Sequence, residues 1–527
     1  MRGNSFRLKI NYFRKKNKIT ISFFCLHFLV LCLVLNTQIS SAQKTKKIEI
    51  LNANTFEYDK SLGIDARRLI GDVAFKHEDA IMKCDSAYMY SESNSMDAFG
   101  NVHINQGDTI NIYGDTLKYD GNSKKAELLG NVRLIDRDMT LTTDHLNYDL
   151  KNSTAYYYDG GKIISSANQN TLTSQQGYYY SKNKELFFKD TVVLINPEYE
   201  IYSDTLKYHT ITEVAYFFGP TIIRGKDNLI YCENGWYDTQ KDISQFKKNA
   251  YIITKEQKLQ GDSLHYDRNK GIGKAFENIQ ITDTVRKFII NGNYAIHYEK
   301  EDNSVITGNT MLTMILESDS LFLHADTLKA TFDSTKTHRT IYAYHKTKFF
   351  KPDLQGMCDS LVYTFQDSTI RLYKDPVLWS EKNQMTAEHI QVKTTDGKVE
   401  SLKLDRAAFI ISQEDSTRFN QIKGKDMVAT FVNNELYKID VIGNGQTIYY
   451  MREDKGELFG VNKAESTDLV IFMKEEAIDK ISYLTKPVAT LYPVNDLPAE
   501  ESILKDFIWK IESRPLSKQD IFVWQKK

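Results

Sequence analysis

The sequence has few of the residues that crosslink or interrupt a fold. Its 527 residues include only five cysteines and eight prolines. Two of the cysteines fall in the one long apolar run, residues 21–35, and the others, Cys84, Cys232 and Cys358, are far apart. An odd, sparse set of this kind excludes a disulfide framework.

The apolar run has the surroundings of a secretory signal peptide. Seven Lys or Arg residues and no acidic residue precede or flank it within residues 1–42, and the small residues Ser40, Ser41 and Ala42 follow it. This layout predicts export, with cleavage after Ala42 and residues 1–42 removed. The alternative is an uncleaved membrane anchor, but about fifteen apolar residues are fewer than the roughly 20 that a spanning helix needs.

The sequence also lacks an excess of positive charge and any catalytic motif. Without residues 1–42 the chain has 61 basic and 69 acidic residues, a net charge of −8, which argues against a nucleic-acid partner. It contains no phosphate-binding glycine loop, nucleophile elbow or paired-histidine motif. We therefore predict a protein that is not an enzyme and that uses neither a cofactor nor a metal.

A short phrase repeats about every thirty residues. It consists of an acidic or amide anchor, a small residue, an apolar residue, any residue and Tyr, as in residues 115–119, 204–208 and 262–266. Twelve anchors from Asn54 to Glu388 follow one another at intervals of 28 to 33 residues. The aspartate anchors are Asp85, Asp115, Asp144, Asp204, Asp262, Asp326 and Asp359. A period this regular indicates a repeat architecture.

A second phrase, Gly-Asn-Val or Gly-Asp-Val, lies about midway between anchors at residues 71–73, 100–102 and 130–132. Apolar and polar residues alternate on both sides of it, the pattern of half-buried strands. The Gly-Asn pairs are typical of turns. We therefore predict an all-β array of repeats with two short strands each, over residues 48–400, and a looser continuation over residues 401–495.

Two features allow alternative interpretations. The row of aspartates could bind calcium, but each stands alone, which favours structural anchors that accept backbone N–H bonds where the chain turns into a strand. Near the carboxyl end, apolar residues recur at helical spacing between Glu500 and Arg514. This spacing predicts a short amphipathic helix within a tail, residues 496–527, that caps the last repeat or, less favoured, binds a partner.

The two phrases at a thirty-residue period resemble the OstA-like family, which includes the periplasmic lipopolysaccharide-transport protein LptA. The resemblance covers residues 48–442. It implies an elongated, twisted, V-shaped β-jellyroll with an apolar groove between two sheets. It also implies a periplasmic location, either free or associated with the outer membrane, and end-to-end stacking with other transport proteins or with further copies. This chain departs from the family in its length and in its tail.

The groove that the resemblance implies would be lined by the inward residues of the phrases. These candidates are Val102, Leu117, Tyr119, Val132, Leu134, Leu146, Tyr148, Leu206, Tyr208, Leu264 and Tyr266. With one strand from each repeat in each sheet, a dozen repeats give a groove of about 60 Å. The unpaired strand edges at both ends would allow joining by strand addition.

We therefore predict a periplasmic protein that binds or relays lipopolysaccharide or a related amphiphile. The first alternative is a scaffold whose alternating residues form a closed core. A polysaccharide lyase on a β-helix is a remote alternative, because β-helix coils are shorter than this period. An outer-membrane barrel would need outward faces with less charge than residues 115–119 have.

Overall fold

The structure, a computed structural model, describes residues 46–58, 66–107, 109–167, 169–317, 319–333, 338–395, 398–432, 435–453, 456–474 and 477–524. The proposed signal peptide lies outside these ranges. Most of the described chain is strand. The strands are β1 (Glu49–Asn52), β2 (Thr55–Tyr58), β3 (Ala66–His77), β4 (Ala80–Tyr90), β5 (Ser95–Gln106), β6 (Ile110–Asp120), β7 (Lys125–Asp136), β8 (Met139–Asp149), β9 (Thr154–Tyr157), β10 (Gly161–Ser165), β11 (Thr171–Ser174), β12 (Gln176–Tyr180), β13 (Glu185–Ile195), β14 (Glu200–His209), β15 (Val214–Arg224), β16 (Leu229–Asp238), β17 (Ile243–Ile253), β18 (Gln257–Asp267), β19 (Ile272–Asp283), β20 (Phe288–Tyr298), β21 (Asn303–Ile315), β22 (Ser320–Phe332), β23 (Arg339–Lys351), β24 (Leu354–Thr364), β25 (Thr369–Tyr373), β26 (Val377–Ser380), β27 (Asn383–Thr386), β28 (His389–Thr395), β29 (Lys398–Asp405), β30 (Ala408–Gln413), β31 (Phe419–Gly424), β32 (Asp426–Val432), β33 (Glu435–Arg452), β34 (Leu458–Lys474), β35 (Ala477–Leu484) and β36 (Val488–Pro493).

Each long strand bends in its middle, so that it contributes to two sheets. In β6 the buried residues are Ile110 and Ile112 before the bend and Leu117 and Tyr119 after it, and the alternation changes phase at Asp115. The pairing of β6 with β7 is antiparallel and shifts register at the same place. The confirmed all-β fold is therefore a folded ribbon with a corner along its length.

The Gly-Asn phrases form this corner. Gly100 and Asn101 in β5, and Gly130 and Asn131 in β7, have positive φ angles of 76°, 43°, 78° and 47°. Two successive left-handed residues make a β-bulge that turns the strand. The prediction that these pairs are turns between strands is wrong: they lie inside strands, and the chain reverses at other residues such as Gly121.

The two halves of the strands form two rows of pairing, named here sheet A and sheet B. Sheet A contains residues 116–120 of β6 and 125–129 of β7, and sheet B contains residues 110–114 and 132–136 of the same strands. One apolar cluster, from Ile48 to Ile471, fills the space between them. The fold is a jellyroll-like array whose sheets meet at the corner and face each other across a core. The side opposite the corner is called the mouth.

Each repeat therefore gives two strand positions to each sheet, twice the number that the sequence suggested. At about 4.8 Å for each position the array is roughly 130 Å long instead of 60 Å. Pairing continues without a break past residue 401, through β29 with β32, β31 with β33 and β33 with β34. Within the described ranges, no helix has the length and apolar content that crossing a bilayer requires.

The predicted helix between Glu500 and Arg514 is wrong. Short 3-10 turns at Val494–Asp496, Ala499–Glu501, Ile511–Ser513 and Asp520–Phe522 are the helical segments described after β36. The rest of the tail is irregular and lies against the sheet. Its main-chain groups bond to side chains of the array, for example Lys510 N–H to Gln384 Oε1 at 2.7 Å. These contacts satisfy groups that a helix would have paired internally.

Candidate functional site

A continuous row of inward-facing apolar residues crosses sheet B, one from each strand position. The residues are neighbours in the strand pairing, and the row is named here the aliphatic row. From β3 to β22 it consists of Phe75, Met82, Ile104, Ile112, Leu134, Leu141, Ile163, Leu172, Leu194, Ile201, Ile223, Ile230, Ile252, Leu259, Ile281, Ile290, Leu312 and Leu323.

The side chains of the aliphatic row are all apolar, but the extent of their burial changes along the row. The row is buried from Phe75 to Leu172 and again from Ile290 to Leu323. Between these parts, six members are only partly buried, and Ile201 is the one buried exception. The six are Leu194, Ile223, Ile230, Ile252, Leu259 and Ile281. The interior is therefore accessible to solvent in the middle of this part of the array.

The amino-terminal part is closed because hydrogen bonds join the two sheets across the mouth. Tyr119 of sheet A shares a hydrogen bond of 2.5 Å with His77 Nδ1 of sheet B. Tyr148 donates to Gln106 Oε1 at 2.5 Å. Tyr179 donates to Asp136 in the same way. This part, from β3 to the start of β13, is named here the bridged section.

A second contact between the sheets closes the mouth beyond the middle. Asp283, at the end of β19 in sheet B, is 1% exposed. Its carboxylate lies 3.0 Å from Arg286 and 3.9 Å from Arg339 of sheet A. The Arg339 guanidinium also lies over the rings of Phe288 and Phe332. This cluster ends the accessible part.

No equivalent bond between the sheets is found among the described residues of β13 to β18, which are named here the open section. The repeat tyrosines bond within sheet A instead: Tyr237 donates to Asp242 at 2.6 Å and Tyr266 to Glu299 at 2.5 Å. Burial raises the pKa of Tyr208 to about 12, so its hydroxyl stays protonated at neutral pH. The open section spans six strand positions, roughly 30 Å.

The sequence-predicted groove residues all lie in the interior, but on both sides of this boundary. Nine of the eleven candidates are buried, and Tyr208 and Tyr266 are partly buried. Those before residue 150 lie in the bridged section, whereas Leu206, Tyr208, Leu264 and Tyr266 lie in the open section. The partly exposed residues that border the open section were missed, because strands such as β13, β15 and β17 lack the Gly-Asn-Val phrase that marked the sheet B candidates.

One sequence position distinguishes the open section from the bridged section. It lies four residues after the residue that follows the bulge, such as Val132 in β7. That place holds His77, Gln106 and Asp136 in the bridged section. It holds Asn196, Gly225 and Thr254 after β13, β15 and β17. These three strands end one residue earlier, and the side chains of Asn196 and Thr254 bond within the sheet B connections, to Asn170 and to the Gln257 carbonyl.

The repeated aspartates lie at the corner and not at a turn. Asp115 Oδ2 accepts a hydrogen bond of 2.8 Å from the Asn131 side chain. Asp85 and Asn101, and Asp262 and Asn278, repeat this contact at 2.9 and 2.8 Å. Asp359 contacts His345, and Asp326 contacts Lys346, while Asp144 and Asp204 are exposed at the same corner. Asp85, Asp115, Asp262 and Asp326 thus contact positive-φ residues of the bulge in the next strand.

The three described cysteines are free and buried. Burial raises the pKa of Cys84 to about 11 and that of Cys232 and Cys358 to about 12. They are unreactive thiols packed beside the corner anchors. Within the ranges that the structure covers, no three His, Cys, Asp or Glu side chains are placed to share a metal ion.

Two family models match parts of this chain. The chain matches a family model described as OstA-like protein over residues 45–204 and 201–262. Residues 289–398 match a model described as LptA/(LptD N-terminal domain) LPS transport protein. One similar solved structure is LptH from Pseudomonas aeruginosa, described as the LptA homologous periplasmic component of the lipopolysaccharide transport device. It is 15% identical, with a TM-score of 0.21, over 22% of this chain and 95% of that chain. A comparison with curated proteins gives no significant match.

Proposed function

The chain belongs to the OstA-like and LptA family of lipopolysaccharide-transport proteins, and from this premise we propose that its open section holds the acyl chains of lipopolysaccharide or a related amphiphile. The protein acts in the periplasm as a carrier without catalysis. The observation that supports the proposal is the loss of burial along the aliphatic row between Leu194 and Ile281.

A row of partly exposed aliphatic side chains is unfavourable in water. An acyl chain lying along the row would cover this apolar surface. Each methylene that leaves water gains about 0.8 kcal/mol. A row about 30 Å long has room for a fully extended fatty acyl chain. Hydrocarbon contacts of this kind do not select a headgroup. Since the net charge without residues 1–42 is −8, a phosphorylated headgroup is expected to remain outside the mouth.

The contacts between the sheets on either side give this groove two ends. Acyl chains in the open section would meet the bridged section on one side and the Asp283–Arg339 cluster on the other. A lipid would therefore enter through the mouth, between the strand ends, and not along the whole array. This favours a carrier that holds its ligand at a defined place.

A closed scaffold remains the second candidate, and the bridged section favours it for the amino-terminal part. There a cavity lined by residues such as Leu141 and Tyr157 measures about 10 Å³, which is far less than an acyl chain needs. In this alternative the accessible part of the row is a structural irregularity without a ligand.

Photo-crosslinking in living cells distinguishes the two candidates. We expect a photoreactive amino acid at Ile223, Ile252 or Leu259 to form an adduct with lipopolysaccharide. Leu134 is the matched control, because it belongs to the same row but lies in the bridged section, and outward Lys207 is the surface control. No adduct at the three test positions, in an exported and folded protein, would contradict the proposal and favour the scaffold.

A further inference from the structure

The outer face of sheet B carries an unusual row of residues near the carboxyl end of the array. It faces away from the core, yet each member is 2% exposed or less. It is named here the distal row, and it consists of Gln355, Trp379, Gln384, Ile411, Gln421 and Ile448. Outward residues on paired strands are normally solvated, so something must cover this row.

The cover is the tail of the chain, and glutamine side chains hold its main chain. Gln421 donates to Ser502 O at 2.9 Å and accepts from Leu504 N at 2.8 Å. Gln384 donates to Ile508 O and accepts from Lys510 N, both at 2.7 Å. Each carboxamide thus bonds to residues two apart, as a neighbouring parallel strand would.

Apolar contacts fix the tail between these two glutamines. Leu504 joins an apolar cluster with Phe409, Ile411, Ile448 and others that is separate from the core. The ring of Phe507 lies 5.3 Å from Phe419, and Trp509 lies at the same distance from Phe419. The site therefore combines main-chain recognition with pockets for a few apolar side chains.

The tail then runs back along the array to β22. Arg514 donates to Gln355 Oε1 at 2.7 Å and to the Glu381 carbonyl at 2.6 Å. Farther on, buried Lys348 donates to Val523 O at 2.8 Å. Its ammonium also lies over the ring of Trp524. The tail thus crosses the outer face of several repeats by contacts with side chains.

The tail lies on the surface of the array in the way that a bound peptide ligand would. No described strand pairs with residues 497–524, and within them only Leu504, Pro515 and Ile521 are buried. Its outward side leaves Ile503 50%, Ile508 59% and Ile511 38% exposed. Releasing it would break no strand pairing, and a second copy approaching from outside could cover these isoleucines.

We propose that the distal row is a binding site for an extended peptide, that the tail occupies it exchangeably, and that the tail of a second copy of this chain can replace it. The site favours this occupant because it bonds main-chain groups and apolar anchors that every copy carries. Such an exchange would join two chains through their carboxyl ends. This proposal does not depend on lipid binding in the open section.

Crosslinking between full-length chains tests the exchange. Lys423 and Asp506 face each other across the site, with Nζ 2.8 Å from Oδ2. A Lys423→Cys/Asp506→Cys variant, treated with a short bismaleimide, reports docking within one chain. An equal mixture of the two single variants, with tags of different size, reports docking between copies. Cys84, Cys232 and Cys358 are buried and should not react, and Cys25 and Cys32 are replaced by Ser in every chain.

We expect a crosslink within the double variant and a crosslinked pair in the mixture that increases with concentration. Adding Gln384→Ala to the Asp506→Cys chain removes two hydrogen bonds that hold that chain's own tail, so the yield of the pair at low concentration should rise by up to about tenfold. A crosslink within one chain, but no pair at any concentration, would show a permanently attached tail and overturn the proposal. Absence of both crosslinks in a protease-resistant, folded chain would overturn it as well.

Discussion

At the scale of single residues, the corner depends on glycine for two separate reasons. Gly130 has a φ of 78°, which costs a residue with a side chain about 1 kcal/mol or more. A Cβ at this position would also lie 2.5 Å from Asp115 Oδ2. The same closeness recurs at Gly100 with Asp85. The small residue and the repeated aspartate are therefore two parts of one contact.

A pair of substitutions separates these two costs. Gly130→Ala should lower the free energy of unfolding by about 2 to 3 kcal/mol, through positive φ and collision with the anchor. Gly107→Ala, at φ 61° with no atom within 4 Å of its Cβ, should show only the first cost, about 1 kcal/mol. Urea midpoints of the two variants provide the measurement. Equal losses of unfolding free energy in the two variants would mean that the Asp115 side chain moves aside without a cost in stability.

The residue scale also shows where sequence reasoning reaches its limit. The inward positions of Leu117, Tyr119 and Leu134 were predicted correctly, since alternation on a strand follows from geometry. The place of Gly130 and Asn131 was not, because a Gly-Asn pair suits a hairpin turn and a mid-strand bulge equally well. Only the pairing of the neighbouring strand distinguishes these two uses.

At the scale of elements, the aliphatic row provides a comparison within one sheet. Leu134 and Leu259 are the same residue type at equivalent places, but Leu134 is fully buried and Leu259 is partly exposed. Leu134→Ala should cost about 3 kcal/mol, because it leaves a cavity in a packed core. Leu259→Ala should cost about 1 kcal/mol, because part of its surface is already in water.

Urea unfolding of both variants, each compared with the parent chain, measures this difference. The proposed carrier role adds a second expectation: Leu259→Ala should reduce lipopolysaccharide crosslinking at Ile252, whereas Leu134→Ala should leave it unchanged. Equal losses of stability would mean that the open section is as tightly packed as the bridged section, and the case for a groove would then fail.

The tail shows why local periodicity misled at this scale. Its apolar residues recur at helical spacing, but Leu504 and Phe507 pack on the sheet while Ile503 and Ile508 remain exposed. Glutamines on distant strands satisfy its main chain, so the helix loses its advantage. A local pattern cannot show these partners, which are 81 to 126 residues away along the chain.

At the scale of the whole molecule, the thirty-residue period predicted an all-β array of repeats, and that prediction is confirmed. The closure of its mouth was not predictable from the period, because it depends on contacts between sheet positions 42 or 43 residues apart, such as Tyr148 and Gln106. Similar repeats can thus build a closed interior in one part and an accessible one in the next.

The ends of this array should govern its association. Among the described strands, β1 and β36 each pair on one side only, with β3 and β34. Val488 and Leu491 of β36 are 62% and 61% exposed. Unpaired strand edges with apolar side chains recruit further strands, whereas charge on an edge prevents it. We therefore expect the chain to associate end to end as its concentration rises.

Replacing Val488 and Leu491 with Lys should weaken this association by at least about tenfold while leaving the fold intact, since both side chains are mostly in solvent. Val285→Lys, 62% exposed in a loop away from the ends, is the matched control. Sedimentation velocity over a range of concentrations gives the average mass. A parent chain that stays single throughout, or an edge variant that associates equally, would exclude these edges as the joining surface. The protein would then act as a single chain, about 130 Å long.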